Sequence, residues 1–152
     1  MEHLEMGSRA DQFNFHCGTY NGYALGVACA HTMLDVLVEE GGVDHLAALG
    51  ELAREKVERV FVDAGIPVQV CGAGPVLQPY FTDQPVHDHR AVRASDLAFS
   101  DALHRKMYEA GIYKSFSKTY LGLIHDDSHI GELTDAMRWA VRELGAGKRA
   151  ST

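Results

Sequence analysis

The chain has 152 residues, 46% hydrophobic and 23% charged, with 15 glycines and 4 prolines, a composition that excludes disorder and fibrous repeats. Fourteen Lys and Arg against 21 Asp and Glu leave a formal charge of -7, the wrong sign for neutralising phosphate backbones, so no nucleic-acid partner is expected. The longest apolar stretches, such as Tyr23 to Ala30, fall short of the roughly 20 residues of a bilayer span, and the acidic start Met1-Glu2-His3-Leu4-Glu5 is no secretory signal. Cys17, Cys29 and Cys71 are odd in number and lack CxxC spacing, which points to reduced thiols in a cytoplasmic protein.

Helical periodicity comes first. Between Gly22 and Val38, Leu25, Cys29, Met33, Val36 and Leu37 recur at spacings of three and four and gather on one helical face, with Gly41-Gly42 as the stop. A second helix is predicted from the capping candidate Asp44 to about Ala64, through Leu46, Leu49, Leu52, Val60 and Phe61, closed by Gly65. Glu51, Glu55 and Arg59 are four apart and read as its solvated face.

The pattern changes at Pro67. Residues 67–71 and 76–81 are short β-prone runs around the turn Gly72-Ala73-Gly74-Pro75, and Pro79 suggests an edge strand or a bulge. Residues 83–93 read as a surface loop, and Ser95 as the cap of a helix that runs through Leu103 and Met107 to Ala110 and stops at Gly111. Strands are predicted at 112–116 and 120–125. A last helix, capped by Asp127 or Ser128, buries Ile130, Leu133, Met137, Ala140, Val141 and Leu144 before Gly145. The fold class is therefore α+β: long N-terminal helices, then a small, mainly antiparallel sheet with helices on one face.

Local chemistry concentrates ahead of the first helix. His16-Cys17-Gly18-Thr19-Tyr20-Asn21-Gly22 is a small, polar approach to a helix N-terminus, where free N–H groups favour an anion and the Thr19 hydroxyl could add a hydrogen bond to a phosphate. The plainer alternative makes Thr19 or Asn21 an N-cap. Gly18, Gly22, Gly26 and Ala30 form an i+4 row of small residues that permits close helix approach or simple internal packing. His87-Asp88-His89, His125 and His129 supply imidazoles but no third ligand at diagnostic spacing, so no metal is assigned. Cys17 beside His16 reads as a passive thiol, and Gly72-Ala73-Gly74, lacking the third glycine of a dinucleotide fingerprint, as a turn.

Residues 16–25, His-Cys-Gly-Thr-Tyr-Asn-Gly-Tyr-Ala-Leu, resemble the G-T-[FY]-x-G-N-P-L segment of class III aminotransferases, fold type I enzymes that use pyridoxal phosphate. Further similar segments follow in order: Gly65-Ile66-Pro67-Val68, Tyr80-Phe81-Thr82-Asp83, Gly111-Ile112-Tyr113 and Tyr120-Leu121-Gly122-Leu123-Ile124-His125. The combination is similar to the family's C-terminal region, and the Phe-Thr-Asp element to its glutamate-1-semialdehyde aminomutase branch. Two departures stand out: Tyr23-Ala24 replaces the family's Asn-Pro, and Ser115-Phe116-Ser117 its Pro-Ser.

The resemblance implies that residues 1–43 are a residual large-domain segment with a long linking helix, residues 44–145 the small C-terminal α+β domain, and residues 146–152 a tail. It implies that Gly18 and Thr19 reach across a dimer interface to the phosphate of the neighbouring subunit's pyridoxal phosphate. Counting back from Thr19 passes Met1 before reaching the family's Schiff-base lysine, and the aspartate that pairs with the pyridine nitrogen lies further upstream still. None of the five lysines, Lys56, Lys106, Lys114, Lys118 and Lys148, has a matching context. Met1 to Glu5 resembles the helix after the lysine loop. The expectation is a C-terminal piece of an amino-group-transferring enzyme with no catalytic residue of its own, binding no cofactor alone and inactive alone. A missing N-terminal cofactor-binding portion is a possible partner, and self-association through the first helix is expected because its apolar face has lost its covers. The alternative is a non-enzymatic oligomerising or interaction module derived from that fold.

Overall fold

The structure, a computed structural model, describes residues 17–39 and 41–149, with side chains through Gly145. Residues 1–40 and 41–152 form two units, taken in turn.

In the first unit a turn leads into helix α1 (Ala24–Glu39). The Asn21 N–H donates to the Gly18 carbonyl (3.0 Å) and the Tyr23 N–H to the Tyr20 carbonyl (3.1 Å), while Gly22 sits at φ +73°, where a side chain would be strained. The Tyr23 carbonyl accepts from Val27 (2.9 Å), so Tyr23 occupies the cap position, and neither Thr19 nor Asn21 does. Gly18 and Gly22 consequently precede the helix, and the expected small-residue row shrinks to Gly26 and Ala30. No residue of α1 is buried; Leu25, Cys29 and Met33 of the predicted apolar face are exposed. The helix described for Met1 to Glu5 and the His16–Cys17 pairing lie outside the described residues.

The second unit begins with α2 (Gly42–Asp63), whose Leu49, Ala53, Val57, Val60 and Phe61 form one buried stripe. The expected cap Asp44 lies in the first turn, where its charge meets the positive end of the helix dipole. Gly41, at φ +60°, takes the cap position and Gly42 opens α2. At the far end Gly65 adopts φ +69° and closes the helix as predicted, with Gly65 N–H on the Val62 carbonyl (2.9 Å) and Ile66 N–H on that of Phe61 (2.9 Å).

Strands β1 (Gln69–Ala73) and β2 (Val76–Tyr80) form an antiparallel hairpin paired from Gln69↔Tyr80 to Ala73↔Val76. The turn is thus only Gly74-Pro75, and Gly72 and Ala73, expected in it, extend the strand. A Cβ on Gly72 would stand 2.0 Å from the Val76 carbonyl oxygen, so only glycine lets the strands meet there. β3 (Thr119–Tyr120) pairs with Val76 and Leu77 alone, which makes β2 the middle strand. Pro79 is nonetheless accommodated, because it lies beyond the end of β3 and faces a partner strand on one side only.

The loop expected over residues 83–93 is helical from His89 onward. Asp88 caps α3 (His89–Ala94) by accepting from the Ala91 N–H (2.9 Å), and Asp96 caps α4 (Leu97–Glu109) by accepting from Phe99 (2.8 Å). Ser95 therefore ends α3 and does not start α4. Gly111, at φ +83°, terminates α4 as predicted.

The strand expected at 112–116 is not formed, and of 120–125 only Tyr120 joins the sheet. These segments satisfy their backbone groups locally: the Tyr108 hydroxyl donates to the Lys114 carbonyl (2.8 Å), and the His125 N–H to that of Gly122 (2.9 Å). Helix α5 (Asp127–Arg149) is capped by Asp126, not by Asp127 or Ser128. The Asp126 carboxylate accepts from the N–H groups of Ser128 (2.9 Å) and His129 (3.3 Å), and hydrogen bonds from these two residues hold its carboxyl well below the usual range. α5 continues through Gly145, so residues 146–149 of the expected tail are helical.

The core gathers Phe61, Leu77, Leu103, Met107, Ile130 and Met137 between the layers. α2 lies across β1 and β2, α5 packs on α2, and α4 on α5, an α+β arrangement. Phe61, Phe81 and Phe99 extend the core as an edge-to-face chain with centroids 4.9 and 4.6 Å apart. α2 also comes close to the hairpin turn: a Cβ on Gly50 would lie 1.8 Å from the Gly74 carbonyl oxygen. Arg54 seals that contact by donating to the carbonyls of Gly74 (2.9 Å) and Val76 (3.3 Å).

Candidate functional site

Gly18 and Thr19, the residues the sequence nominates for phosphate binding, lie in the turn ahead of α1, and both are exposed. At Gly18 the carbonyl accepts from the Asn21 N–H (3.0 Å), and the Asn21 side chain packs close enough that an added Cβ would meet its amide oxygen at 2.8 Å. Thr19 precedes the first residue of α1 by five positions, which separates its hydroxyl from the helix's own first turn. The pair is an exposed threonine beside an exposed glycine.

The sequence did not single out a second location. A cavity of about 420 Å³ opens between the segment after α4 and the start of α5, with Lys114, Lys118, Thr119, Tyr120, His125 and Glu132 among its walls. Lys114 is half-buried, and its Nζ stands 2.6 Å from His104 Nε2 and donates to the Ser115 carbonyl (2.6 Å). His104 is buried on α4, with Nδ1 2.7 Å from the Ser100 carbonyl one turn back. That bond requires the proton on Nδ1 and leaves Nε2 to accept from Lys114.

Burial pushes the Lys114 ammonium down to about 8, because an uncompensated charge there is poorly solvated. Burial, and then the Lys114 charge, also lower the His104 pKa, against weaker opposing effects of the Ser100 bond and Asp101. Phe116 packs 5.6 Å from the His104 and Tyr108 rings and forms the apolar side of this pair. The sequence signal was faint: a lysine set between Tyr113 and Phe116, with its imidazole ten residues upstream.

The histidines do not converge as a group. His87 and His89 flank the α3 cap, whereas His125 and His129 meet at the start of α5 with rings 5.5 Å apart, His129 bonded to Asp126 at 2.7 Å. Among the described residues no three His, Cys, Asp or Glu side chains stand where they could hold a metal ion. Cys17 and Cys29 are exposed and Cys71 half-buried, all three as free thiols. No described helix is long and apolar enough to cross a membrane.

No protein-family model matches the chain. It is 29% identical over 133 residues to glutamate-1-semialdehyde 2,1-aminomutase of Desulfosudis oleivorans, covering 86% of this chain and 31% of that protein. It is 30% identical over 132 residues to the same-named protein of Anaeromyxobacter dehalogenans, covering 85% and 30%. The chain thus spans about a third of the length of the curated relatives it matches. Among solved structures, an omega-transaminase from Sphaerobacter thermophilus superposes with a TM-score of 0.62 at 28% identity, over 66% of this chain and 24% of the other. A transaminase with bound PLP shares the fold over 96% of this chain and 33% of its own, with a TM-score of 0.69 at 20% identity.

Proposed function

The chain corresponds in sequence and fold to the C-terminal portion of class III pyridoxal-phosphate-dependent aminotransferases, and from that premise we propose that it serves amino-group transfer as the small domain of such an enzyme. The observation that carries the reading is the match of 86% of the chain to glutamate-1-semialdehyde aminomutase. In this reading Gly18 and Thr19 hold the phosphate of the neighbouring subunit's cofactor, the Thr19 hydroxyl and the backbone beside Gly18 donating to its oxygens. When bound, pyridoxal phosphate supplies the electron sink for the amino transfer. The residues of this chain bind and orient; none of its five lysines stands in the context of the family's anchoring lysine, so in this reading the chain alone holds no cofactor and turns over no substrate. Its acidic composition and free cysteines suit a cytoplasmic location.

A chimera tests the assignment. Residues 17–145 replace the matched third of the Desulfosudis oleivorans aminomutase, and pyridoxal-phosphate affinity and conversion of glutamate 1-semialdehyde are measured with and without Thr19→Ala. The expected result is a cofactor-binding chimera whose affinity falls about tenfold on losing the hydroxyl. A well-folded chimera whose cofactor affinity ignores Thr19 overturns the phosphate role.

A second reading, an oligomerising module, is favoured by the exposed Leu25 and Met33 on α1. Burying such side chains against a second copy gains roughly 1.5 to 3 kcal/mol for each large aliphatic group fully covered. Gly26 and Ala30, four apart, let the partner helix approach. Sedimentation at micromolar concentration should show association that Gly26→Leu weakens; a wild-type monomer contradicts it.

A further inference from the structure

We propose that Lys114 is a nucleophilic amine that captures small carboxylate-bearing aldehydes in the cavity between the post-α4 segment and α5. The inference is independent of the aminotransferase reading, since that family's anchoring lysine lies elsewhere and none of this chain's lysines matches its context.

Three observations converge on Lys114. Its side chain lines a cavity of about 420 Å³, large enough for a small organic molecule. Two acceptors, His104 Nε2 and the Ser115 carbonyl oxygen, each stand 2.6 Å from Nζ. A neutral amine has two N–H groups and one lone pair, so these acceptors engage both protons and leave the lone pair unoccupied. An ammonium would carry a third proton into a half-buried, partly aromatic setting. The other ionisable groups around the cavity are Tyr113, Lys118 and Tyr120 on the same segment and His125, His129 and Glu132 from the α5 side, with Asp101 behind His104 on α4. Lys118, exposed on the cavity wall, supplies the fixed positive charge that would receive a carboxylate.

The chemistry closes without an oxidant or reductant. The Lys114 lone pair attacks the aldehyde carbon while an amine proton passes to His104 Nε2 and the carbonyl oxygen takes a proton from water. The resulting carbinolamine loses its hydroxyl as water, taking the proton back from His104, and the remaining N–H proton of the iminium passes to the hydroxide left by the first water, which leaves a C=N bond between Nζ and the former aldehyde carbon. The net change is amine plus aldehyde to imine plus water, and hydrolysis reverses it. With the amine titrating near 8, not 10.5, the free-base fraction at pH 7 is roughly two orders of magnitude higher than that of an ordinary lysine.

The test uses glyoxylate as probe and cyanoborohydride to trap imines on the full chain, with adducts located by peptide mass spectrometry. Lys118 is the internal comparator, exposed on the same wall. At pH 7 Lys114 should be labelled at least about tenfold faster than Lys118, and the Lys114 rate should climb with pH and level off above about 8, where its amine has lost its proton. Propionaldehyde at equal concentration should label Lys114 more slowly than glyoxylate; equal rates overturn the carboxylate preference. Lys114→Arg should abolish the fast adduct and leave Lys118 unchanged. His104→Gln should slow the Lys114 adduct with Lys118 again unchanged, and an unaltered rate removes His104 from the proton transfer. Labelling of Lys114 no faster than Lys118 in the wild type overturns the proposal.

Discussion

Residues 41–149 and residues 17–39 contain comparable apolar side chains and use them in opposite ways. In the larger unit Phe61, Leu77, Leu103, Ile130 and Met137 are each at most 1% exposed, closed over by three helices and a hairpin. In the smaller one Leu25 and Met33, at the same helical spacing, are each 62% exposed. Periodicity makes a helix amphipathic in both cases, but only a second layer of the same unit turns the apolar stripe into a core. The contrast separates a part that carries its own stability from a part whose apolar face is available for another surface.

Matched substitutions in the two regions sharpen that contrast. Phe61→Ala should cost about 3–5 kcal/mol, by removing the ring that bridges α2 to Phe81 and leaving a void, and the fall in denaturant midpoint measures it. Leu25→Ala should leave the same transition within about 0.5 kcal/mol. The glycines behave in parallel. Gly50→Ala drives a methyl into the Gly74 backbone and should cost about 1–3 kcal/mol or more, whereas Gly26→Ala meets only the Tyr23 ring at 3.5 Å and should be neutral or stabilising by about 0.5–1 kcal/mol.

A pH series probes the half-buried amine of Lys114 in the larger unit. Lys114 has a folded pKa near 8 against an ordinary 10.5, so the folded state binds fewer protons than the unfolded state between these values. Stability should therefore rise as pH increases from about 8 to 10.5, and this contribution should be flat below 8, where both states are protonated. Lys114→Met should remove the rise and stabilise the protein at pH 7 by about 1–2 kcal/mol, a figure reduced for partial solvent screening. Thermal or denaturant melts of both proteins across that range measure the difference. The smallest effect expected in this unit is Asp96→Ala, about 1 kcal/mol from the lost α4 cap, again read from the denaturant midpoint.

The division between regions also explains what was legible from residues alone. Elements fixed by local chemistry were read correctly: the α2 helix with Leu49, Val60 and Phe61 buried (Leu46 and Leu52 are only half-buried, and Ala53 and Val57 complete the stripe), the glycine stops at Gly65 and Gly111, and the hairpin beyond Pro67. Elements decided by partners were not. Residues 112–116 have strand-like composition, but on its far side β2 is met only by the two residues of β3, so the segment folds back on His104 and Tyr108 of α4 instead. Asp96 and Asp126 were passed over for neighbouring Ser95, Asp127 and Ser128, because adjacent capping residues are equivalent until backbone geometry selects one, whereas Asp88 lay in a stretch read as loop. The Gly18-Thr19 pair was nominated through family resemblance alone. The Lys114–His104 pair was invisible, since its two members are ten residues apart and meet only when the segment after Gly111 turns back along α4.

Amide hydrogen exchange on the chain, at a concentration where sedimentation shows a monomer, tests the separation of the two regions most directly. The account predicts slow exchange in α2, α4 and α5, approaching the global unfolding free energy, and fast exchange across residues 17–39 that slows only when copies associate. Protection of α1 in the monomer equal to that of α5 would contradict it.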